Sequence, residues 1–336
     1  MKNVVYFIGA GFSVPAGLPV ISNFLFLSRD QYFSDPHKYS YFEVVFEYID
    51  SLSKAKNFIN VDLFNVEEVF SIADTHELLG KGLRKDLQQF IKDVILFYSP
   101  EFLPHDAGFY TSRNSFEILL GSNQVTRQYV SFIASLLNLV FVGKKDENKE
   151  TYQYSDFVAE KEQPTDTEYK IVTLNYDNII ENSLAFINKH FGSSFSIPLA
   201  KLHGSVDGSI VPPTWNKSIN SGINNAWRKS ALWLSEANEI RILGYSFPQI
   251  DIYIKHLLST ALVESKNLQK IDVICLDPDG SVEKRYRKMF SFPRFDFFNL
   301  DLTGYISAFS GRGSSSGPLT FRTNSKKAEE YHKMYL

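Results

Sequence analysis

Short runs of apolar, β-branched and aromatic residues recur along the chain, and turn residues follow them. Apolar runs without polar alternation are typical of strands buried on both faces, as in parallel sheets. Segments with apolar residues at helical spacing lie between most of these runs. The predicted strands are Val4–Ile8, Tyr169–Leu174, Leu199–Leu202, Glu239–Leu243, Ile271–Leu276 and Arg294–Phe298, and the predicted helices are Asn178–His190, Asn224–Ala237, Asp251–Glu264 and Val282–Phe290. This alternation predicts an α/β fold with an open, doubly wound parallel sheet.

A long helical region separates the first two predicted strands. Its helical candidates are Tyr41–Lys54, Val61–Thr75, Leu83–Phe97 and Ser115–Val142. Because the first strand precedes this region, we predict a large helical insertion, over about residues 22–160, that packs beside the sheet. Charged residues crowd Lys144–Lys170 without helical or strand periodicity, so we predict an irregular connector there.

The C-terminal end differs in composition from the rest of the chain. Ser310–Pro318 is rich in glycine and serine, as flexible linkers are, and the residues beyond it include several lysines. We therefore predict one α/β domain over residues 1–310, followed by a flexible linker and basic tail over residues 311–336. Disorder or docking on a neighbouring subunit suits this tail better than contact with nucleic acid.

Charge and cysteine content exclude several classes of protein. The 336 residues include 35 Lys and Arg against 38 Asp and Glu, which argues against a chain that binds nucleic acid over its whole surface. The single cysteine, Cys275, allows neither an internal disulfide nor a cysteine zinc site, and it favours a reducing compartment. The longest apolar stretch, Ile133–Val142, is far shorter than the ~20 residues that span a bilayer. We expect a cytoplasmic protein that does not enter membranes.

A glycine-rich segment follows the first predicted strand, with the sequence Gly-Ala-Gly-Phe-Ser at residues 9–13. Glycine lets a backbone approach a phosphate closely, and the start of a following helix offers N–H groups to an anion. The segment is not the full G-x-G-x-x-G pattern, because Val14 stands where the third glycine belongs, and it lacks the Gly-Lys of a P-loop. A dinucleotide-binding turn and a purely structural turn both remain open.

Polar residues also follow four other predicted strands. They are Asn175 and Asp177 after the second strand, His203 after the third, Gly244, Ser246 and Asp251 after the fourth, and Asp277 after the fifth. Since the carboxyl ends of parallel strands form the crevice where α/β folds bind ligands, we expect these side chains to meet there. Asp177 or Asn178 could instead cap the following helix, and the other segments could be simple turns.

Taken in order, these segments resemble the sirtuin-like family, in particular its prokaryotic branch of NAD-consuming defence proteins. The family's Gly-Ala-Gly-x-Ser and Ala-Gly-Ile-Pro elements are similar to residues 9–13 and 16–19, and its Thr-Gln-Asn-Ile-Asp motif is similar to residues 173–177. Its catalytic His-Gly is similar to His203-Gly204, and its Gly-Thr-Ser element to Gly244-Tyr245-Ser246. The resemblance covers about residues 4–17 and 169–279, implies a Rossmann-like sheet, and leaves the helical insertion unmatched.

Two departures separate the chain from sirtuin deacetylases. Their Asp-Phe-Arg element is replaced by Val20-Ile21-Ser22, and one cysteine cannot supply their four-cysteine zinc site. We therefore expect neither protein deacetylation nor zinc. The segment Pro212–Lys217 is similar to the defence branch but has no assigned role.

The resemblance implies hydrolysis of NAD to nicotinamide and ADP-ribose. In that scheme Asn175 positions the ribose hydroxyls or the attacking water, His203 acts as the base or orients that water, and Asp177 polarises Asn175 or caps a helix. The residues implied to hold the rest of NAD are Gly9, Ala10, Gly11 and Ser13 at the pyrophosphate, with Gly244, Ser246 and Asp277 toward the adenosine.

Two other functions compete with this one. The same segments could bind NAD or ADP-ribose without cleaving it, in an assembly subunit of a defence complex. A serine hydrolase is a weaker rival, because the segments around Ser13 and Ser246 lack the second glycine of a nucleophile elbow. By resemblance we expect a homo-oligomer that is silent until assembly or a partner activates it, and the partners implied are a HerA-type DNA translocase ATPase or a short Argonaute.

Overall fold

The computed structural model describes residues 1–54, 62–77, 79–80, 82–104, 119–121, 123–144, 149, 151–211, 221–248, 251–310, 314–317 and 319–336. Its strands are β1 (Lys2–Ile8), β2 (Leu139–Gly143), β3 (Phe157–Lys161), β4 (Thr167–Thr173), β5 (Leu199–Lys201), β6 (Glu239–Leu243), β7 (Lys270–Ile274), β8 (Phe295–Phe298), β9 (Ser314–Gly317) and β10 (Thr320–Arg322). Its α-helices are α1 (Phe24–Ser34), α2 (Phe42–Leu52), α3 (Val66–Glu77), α4 (Arg84–Tyr98), α5 (Gln124–Leu136), α6 (Ile179–His190), α7 (Ser221–Glu236), α8 (Ile252–Glu264), α9 (Ser281–Met289), α10 (Leu302–Ser310) and α11 (Ser325–Tyr335).

A six-stranded parallel sheet forms the centre of the molecule, in the order β5-β4-β1-β6-β7-β8. From β1 the chain builds outward through β4 and β5 on one side, and then through β6, β7 and β8 on the other. This is the strand order of a doubly wound, Rossmann-like sheet, in which the ligand crevice opens where the order reverses. The predicted fold class is therefore confirmed, and the crevice falls at the carboxyl ends of β1 and its two neighbours.

Helices cover both faces of the sheet. Val4, Tyr6 and Ile8 pack into one apolar cluster with α5, α6, α10 and the insertion helices, whereas Val5 and Phe7 pack into a second cluster with α7, α8 and α9. Because β1 is buried on both faces, its sequence is apolar without alternation. No helix in the described ranges is both long and apolar enough to cross a membrane.

The insertion differs from its prediction near its C-terminal end. The helix predicted over Ser115–Val142 is α5, which ends at Leu136, and the β-branched run after it forms β2; residues 115–118 lie outside the described part. Asn138, with a φ of 58°, turns the chain between the two elements. The predicted connector over residues 144–170 contains β3, which pairs antiparallel with β2 in a second sheet of order β3-β2-β10-β9.

The C-terminal tail also differs from its prediction. Residues expected to form a flexible basic tail instead form β10, which pairs with β2, and α11, which packs on the body of the protein. Ala328 and Tyr331 of α11 are buried, whereas Lys326 and Lys333 are exposed. The lysines are thus the outer face of an amphipathic helix, whose apolar face finds its partners only in the folded chain.

Candidate functional site

A cavity of about 970 Å³ of empty space, its open mouth included, lies at the carboxyl ends of β1, β4, β5 and β6. Residues that follow these strands line it, namely Gly9, Ala10, Ser13, Leu174, Asn175, Tyr176, Asp177, His203, Gly244, Tyr245, Ser246, Pro248 and Asp251. The insertion adds Phe24, Val66, Glu67, Phe70, Ile91 and Ile95. The cavity thus combines polar strand ends with a largely apolar wall, as small-molecule sites usually do.

The glycines after β1 and β6 let two backbone segments pack directly against each other. The N–H groups of Gly9 and Gly11 donate to the carbonyls of Leu243 and Gly244, each at 2.9 Å. A Cβ on Gly9 or Gly11 would lie under 3 Å from the backbone of the segment after β6. These N–H groups already donate to backbone carbonyls, so the glycines allow the two segments to pack closely. Any contact that they make with a pyrophosphate stays a prediction.

Gly244 allows a direct test of this packing. Its φ is +63°, and a Cβ there would lie 2.4 Å from the Phe12 nitrogen. We expect Gly244→Ala to lower the free energy of unfolding by about 2–5 kcal/mol, of which about 1–2 kcal/mol is left-handed strain and the rest overpacking. Gly280→Ala is the matched control, because Gly280 has a φ of +72° with nothing within 4 Å of its Cβ position. Equal losses in urea titrations of the two variants would contradict the packing argument.

Asn175, Ser13 and Asp177 form a buried hydrogen-bonded chain at the cavity. The Asn175 amide nitrogen donates to the Gly9 carbonyl at 3.1 Å and to the Ser13 hydroxyl at 3.0 Å, and that hydroxyl donates to Asp177 Oδ2 at 2.7 Å. Both amide hydrogens of Asn175 are therefore in use, which leaves its Oδ1 as the atom it can offer to a ligand. Such a side chain can accept a hydrogen bond from a ribose hydroxyl or from water.

Asp177 caps the helix that follows it and also holds the Ser13 hydroxyl. Its Oδ1 accepts from the Ile179 N–H at 3.1 Å and so caps the start of α6, whereas Oδ2 holds Ser13. The adjacent Asn178 makes no side-chain cap of that helix. The carboxylate thus ties the Asn175 segment to the start of a helix, and it reaches Asn175 only through the Ser13 hydroxyl.

His203 lies at the end of β5, buried, and lines the same cavity. Its ring centre lies 6.0 Å from that of Tyr176, and its backbone carbonyl accepts from the Val211 N–H at 2.8 Å. A bridge between Gly204 and Ile210 closes the turn that follows. The turn fixes the backbone on either side of the imidazole, which is a group that can exchange a proton near neutral pH.

Two acidic residues also line the cavity: Asp251, which was expected there from its place after the fourth predicted strand, and Glu67, which the sequence did not indicate. Asp251 accepts from the Tyr245 hydroxyl at 2.8 Å, and burial together with this carboxylate raises the pKa of Tyr245 well above its ordinary value, so that the hydroxyl stays a donor. Glu67 comes from α3 in the insertion. Helical periodicity predicted α3 but could not reveal that Glu67 faces the strand ends, because no local signal encodes that packing.

The structure does not bring every predicted residue into the cavity. Asp277 is buried at the end of β7, where its carboxylate accepts from the Val282 and Glu283 N–H groups and caps α9. Gly11 lies behind the cavity, against Gly244. Gly9, Ala10, Ser13, Asn175, Asp177, His203, Gly244 and Ser246 do line it.

Two further observations complete the site. The segment Pro212–Lys217 lies outside the described residues. Among the residues that the structure does describe, no three His, Cys, Asp or Glu side chains come together as a group that could hold a metal ion.

No protein-family model and no curated protein matches the chain. Solved Sir2 structures are similar to it at low identity. One, on the mechanism and regulation of Sir2 enzymes, is 10% identical with a TM-score of 0.41 over 99% of this chain and 94% of that one. Another, Sir2 with a p53 peptide and NAD⁺, is 13% identical with a TM-score of 0.31 over 91% of this chain and 90% of that one. At these scores the likeness carries no argument, and the fold class of this chain rests on its own strand order.

Proposed function

We propose that the protein hydrolyses NAD to nicotinamide and ADP-ribose. The observation that supports this most is the environment of Asn175, whose amide hydrogens are both engaged and whose Oδ1 is left for a ligand, beside His203 in the same cavity. The strand order supports it as well, because dinucleotides bind at the reversal point of doubly wound sheets.

The reaction requires the site to stabilise positive charge, to accept a proton and to position the reacting groups. As the bond between ribose C1′ and the nicotinamide nitrogen breaks, its electron pair neutralises the cationic ring, and positive charge develops on the ribose. Water then bonds to C1′ and loses a proton, which His203 can accept. Asn175 Oδ1 would hold a ribose hydroxyl or that water, and so fix the geometry of attack.

The charge of the cavity suits a positively charged transition state. Glu67, Asp177 and Asp251 all line it. Carboxylates that the fold already holds in position stabilise developing positive charge without having to move during the reaction. The apolar side chains of the insertion, among them Phe70 and Ile91, lower the local dielectric and strengthen this effect.

We further propose that this activity is the effector of an anti-phage defence system, gated by oligomerisation or by a partner such as a HerA-type ATPase or a short Argonaute. This part rests on the motif resemblance alone. Hydrolysis of NAD by an ungated enzyme would drain a cell's own cofactor, so a silent resting state is the expected accompaniment.

The test is to incubate the purified chain with NAD and to follow nicotinamide and ADP-ribose by chromatography. We expect wild type to release both once it is assembled or a candidate partner is added, and His203→Ala to lower kcat under the same conditions by about 10²–10⁴-fold, because it removes the proton acceptor. His256→Ala, at an exposed histidine of α8, is the control and should keep wild-type turnover. Binding of ADP-ribose without nicotinamide release, even with candidate partners added, would favour the non-catalytic binding subunit.

A further inference from the structure

Lys201 lies at the end of β5, two residues before His203, and its ammonium group is surrounded by oxygen atoms. The side chain is 12% exposed and forms an ion pair with Glu181 at 2.9 Å. It also donates to Asn178 Oδ1 at 3.0 Å, to Ser205 Oγ at 3.2 Å, and to the backbone carbonyl of Asp177. A buried ammonium is stable only where such acceptors replace its water, so this arrangement fixes all of them around one point.

Three of these acceptors belong to two segments that carry the proposed catalytic side chains, and the fourth, Glu181, lies on α6. Residues 175–178 follow β4 and carry Asn175, whereas residues 203–207 follow β5 and carry His203. Ser205 Oγ donates to Asn178 Oδ1 at 2.7 Å, and the Val206 N–H donates to the Tyr176 carbonyl at 2.9 Å. Lys201 is thus the charged centre of a set of contacts that join the two segments.

The position of Lys201 separates it from the ligand. It is not among the residues that line the cavity, and its ammonium points to the side of both segments where α6 begins. It therefore has no route to a reacting atom except through the backbone it holds. A shift of about 1 Å between two catalytic groups can cost on the order of 10²-fold in rate, so such a support can matter to turnover.

We propose that Lys201 is a positioning residue, which sets the distance between Asn175 and His203 by clamping the two segments together. The catalytic part of this inference rests on the proposed function. The structural part does not, because the clamp joins the segments whatever ligand the cavity takes.

The test compares Lys201→Met, which keeps an unbranched apolar side chain as far as Cε and removes the charged Nζ, with Lys201→Arg, which keeps a cation. Lys170→Met is the matched control, because Lys170 lies on the adjacent strand β4 and its side chain is 13% exposed. It forms an ion pair with Glu236 at 3.6 Å, and neither residue belongs to the two segments. Each variant is measured for thermal stability, for kcat and KM of nicotinamide release, and for amide hydrogen exchange of peptides that cover residues 174–180 and 202–208.

We expect Lys201→Met to lower kcat by about 10–100-fold with KM changed less than about threefold, and to raise exchange in those two peptides but not in β1 or β7. Lys201→Arg should recover part of kcat, and Lys170→Met should leave kcat and both peptides unchanged. Wild-type kcat and unchanged exchange in Lys201→Met would overturn the proposal. So would an equal loss in Lys170→Met, since that would show a general effect on stability.

Two outcomes need separate arms. If wild type releases no nicotinamide even with candidate partners added, the proposed function fails. The clamp is then tested by exchange and by ADP-ribose affinity: raised exchange with weaker binding supports it, and no change overturns it. If Lys201→Met does not fold, Ser205→Ala replaces it, because Ser205 joins Lys201 to Asn178. That variant should show the same pattern at a smaller amplitude, and wild-type behaviour would contradict the proposal.

Discussion

Replacement of Asn175 by alanine is expected to lower nicotinamide release by about 10²–10³-fold and to leave the protein folded. The amide is held from both sides, by the Gly9 carbonyl and the Ser13 hydroxyl, so its Oδ1 has one fixed direction. Alanine removes that oxygen, and water that fills the gap has no comparable fixed orientation. The measurement is kcat for nicotinamide release, with circular dichroism to confirm the fold.

Asn175→Asp should be no better than the alanine variant, although it is nearly isosteric. The oxygen that replaces the amide nitrogen would face the Gly9 carbonyl and the Ser13 hydroxyl, whose single hydrogen is already donated to Asp177. The new carboxylate oxygen would then face two other hydrogen-bond acceptors in a buried position, and such unpaired acceptors raise the free energy of the folded state. If Asn175→Asp kept wild-type turnover, the orientation of the amide inferred here would be wrong.

Gln128→Ala is the control for the loss of a buried amide. Gln128 is 2% exposed, and its side chain donates to Ser307 at 2.6 Å between α5 and α10, away from the cavity. It should lose stability and keep its kcat. If Asn175→Ala behaved in the same way, Asn175 would be a structural residue, and the catalytic assignment would fall.

A large effect on stability is expected at Glu329, because it neutralises a guanidinium inside the core. Arg241, on β6, is 1% exposed, and it donates to Glu329 at 2.8 Å, to Glu239 at 2.9 Å and to the Tyr6 hydroxyl at 2.9 Å. Removal of one partner of a buried ion pair costs about 3–5 kcal/mol. Since Glu239 remains, we expect Glu329→Gln to lower the free energy of unfolding by about 3 kcal/mol.

Glu330→Gln is the control for this change. Glu330 is the next residue on α11, is exposed, and should contribute less than about 0.5 kcal/mol. Urea titration of both variants measures the difference. Equal stability of the two would mean that α11 is held by its apolar face alone.

The same helix makes stability depend on pH. Burial would raise the pKa of Glu329, but the Arg241 guanidinium and the Lys2 ammonium outweigh it and lower the pKa to about 2. Because the pKa of Glu329 is lowered in the folded state, its contribution to the free energy of unfolding is complete above pH 4.5, its ordinary pKa. That contribution is lost as the pH falls toward about 2. We expect Glu329→Gln to lack this part of the acid destabilisation.

His332 also makes the folded state less stable as the pH falls, but over a higher pH range than Glu329. Burial lowers its pKa below the ordinary 6.5, and the hydrogen bond to Asp272 offsets only part of that shift. The folded state therefore favours the neutral imidazole, and its contribution is lost as the pH falls below 6.5. Wild-type melting temperatures should accordingly begin to fall below that pH.

Local patterns predicted the sheet well, for a physical reason. A central strand of a doubly wound sheet is covered on both faces, so it needs an apolar run, and the predicted run Val4–Ile8 falls within β1. The carboxyl ends of parallel strands meet at one edge, so polar residues after β1, β4, β5 and β6 could be expected to share a cavity, as they do. Asp277 shows the limit of this rule, because the same position also suits a helix cap.

The sequence by itself determined the α/β class, the strands of the central sheet, most of the helices, and many of the residues that line the cavity. Only the tertiary structure decided that the tail folds back as α11, that Glu67 of the insertion faces the strand ends, and that Lys201 joins the segments that carry Asn175 and His203. Burial and periodicity are properties of neighbouring residues, so a sequence displays them directly. Glu329 and Tyr6 lie far along the chain from Arg241, and Glu181 belongs to a different element from Lys201. Such contacts leave no local mark in the sequence until folding brings their members together.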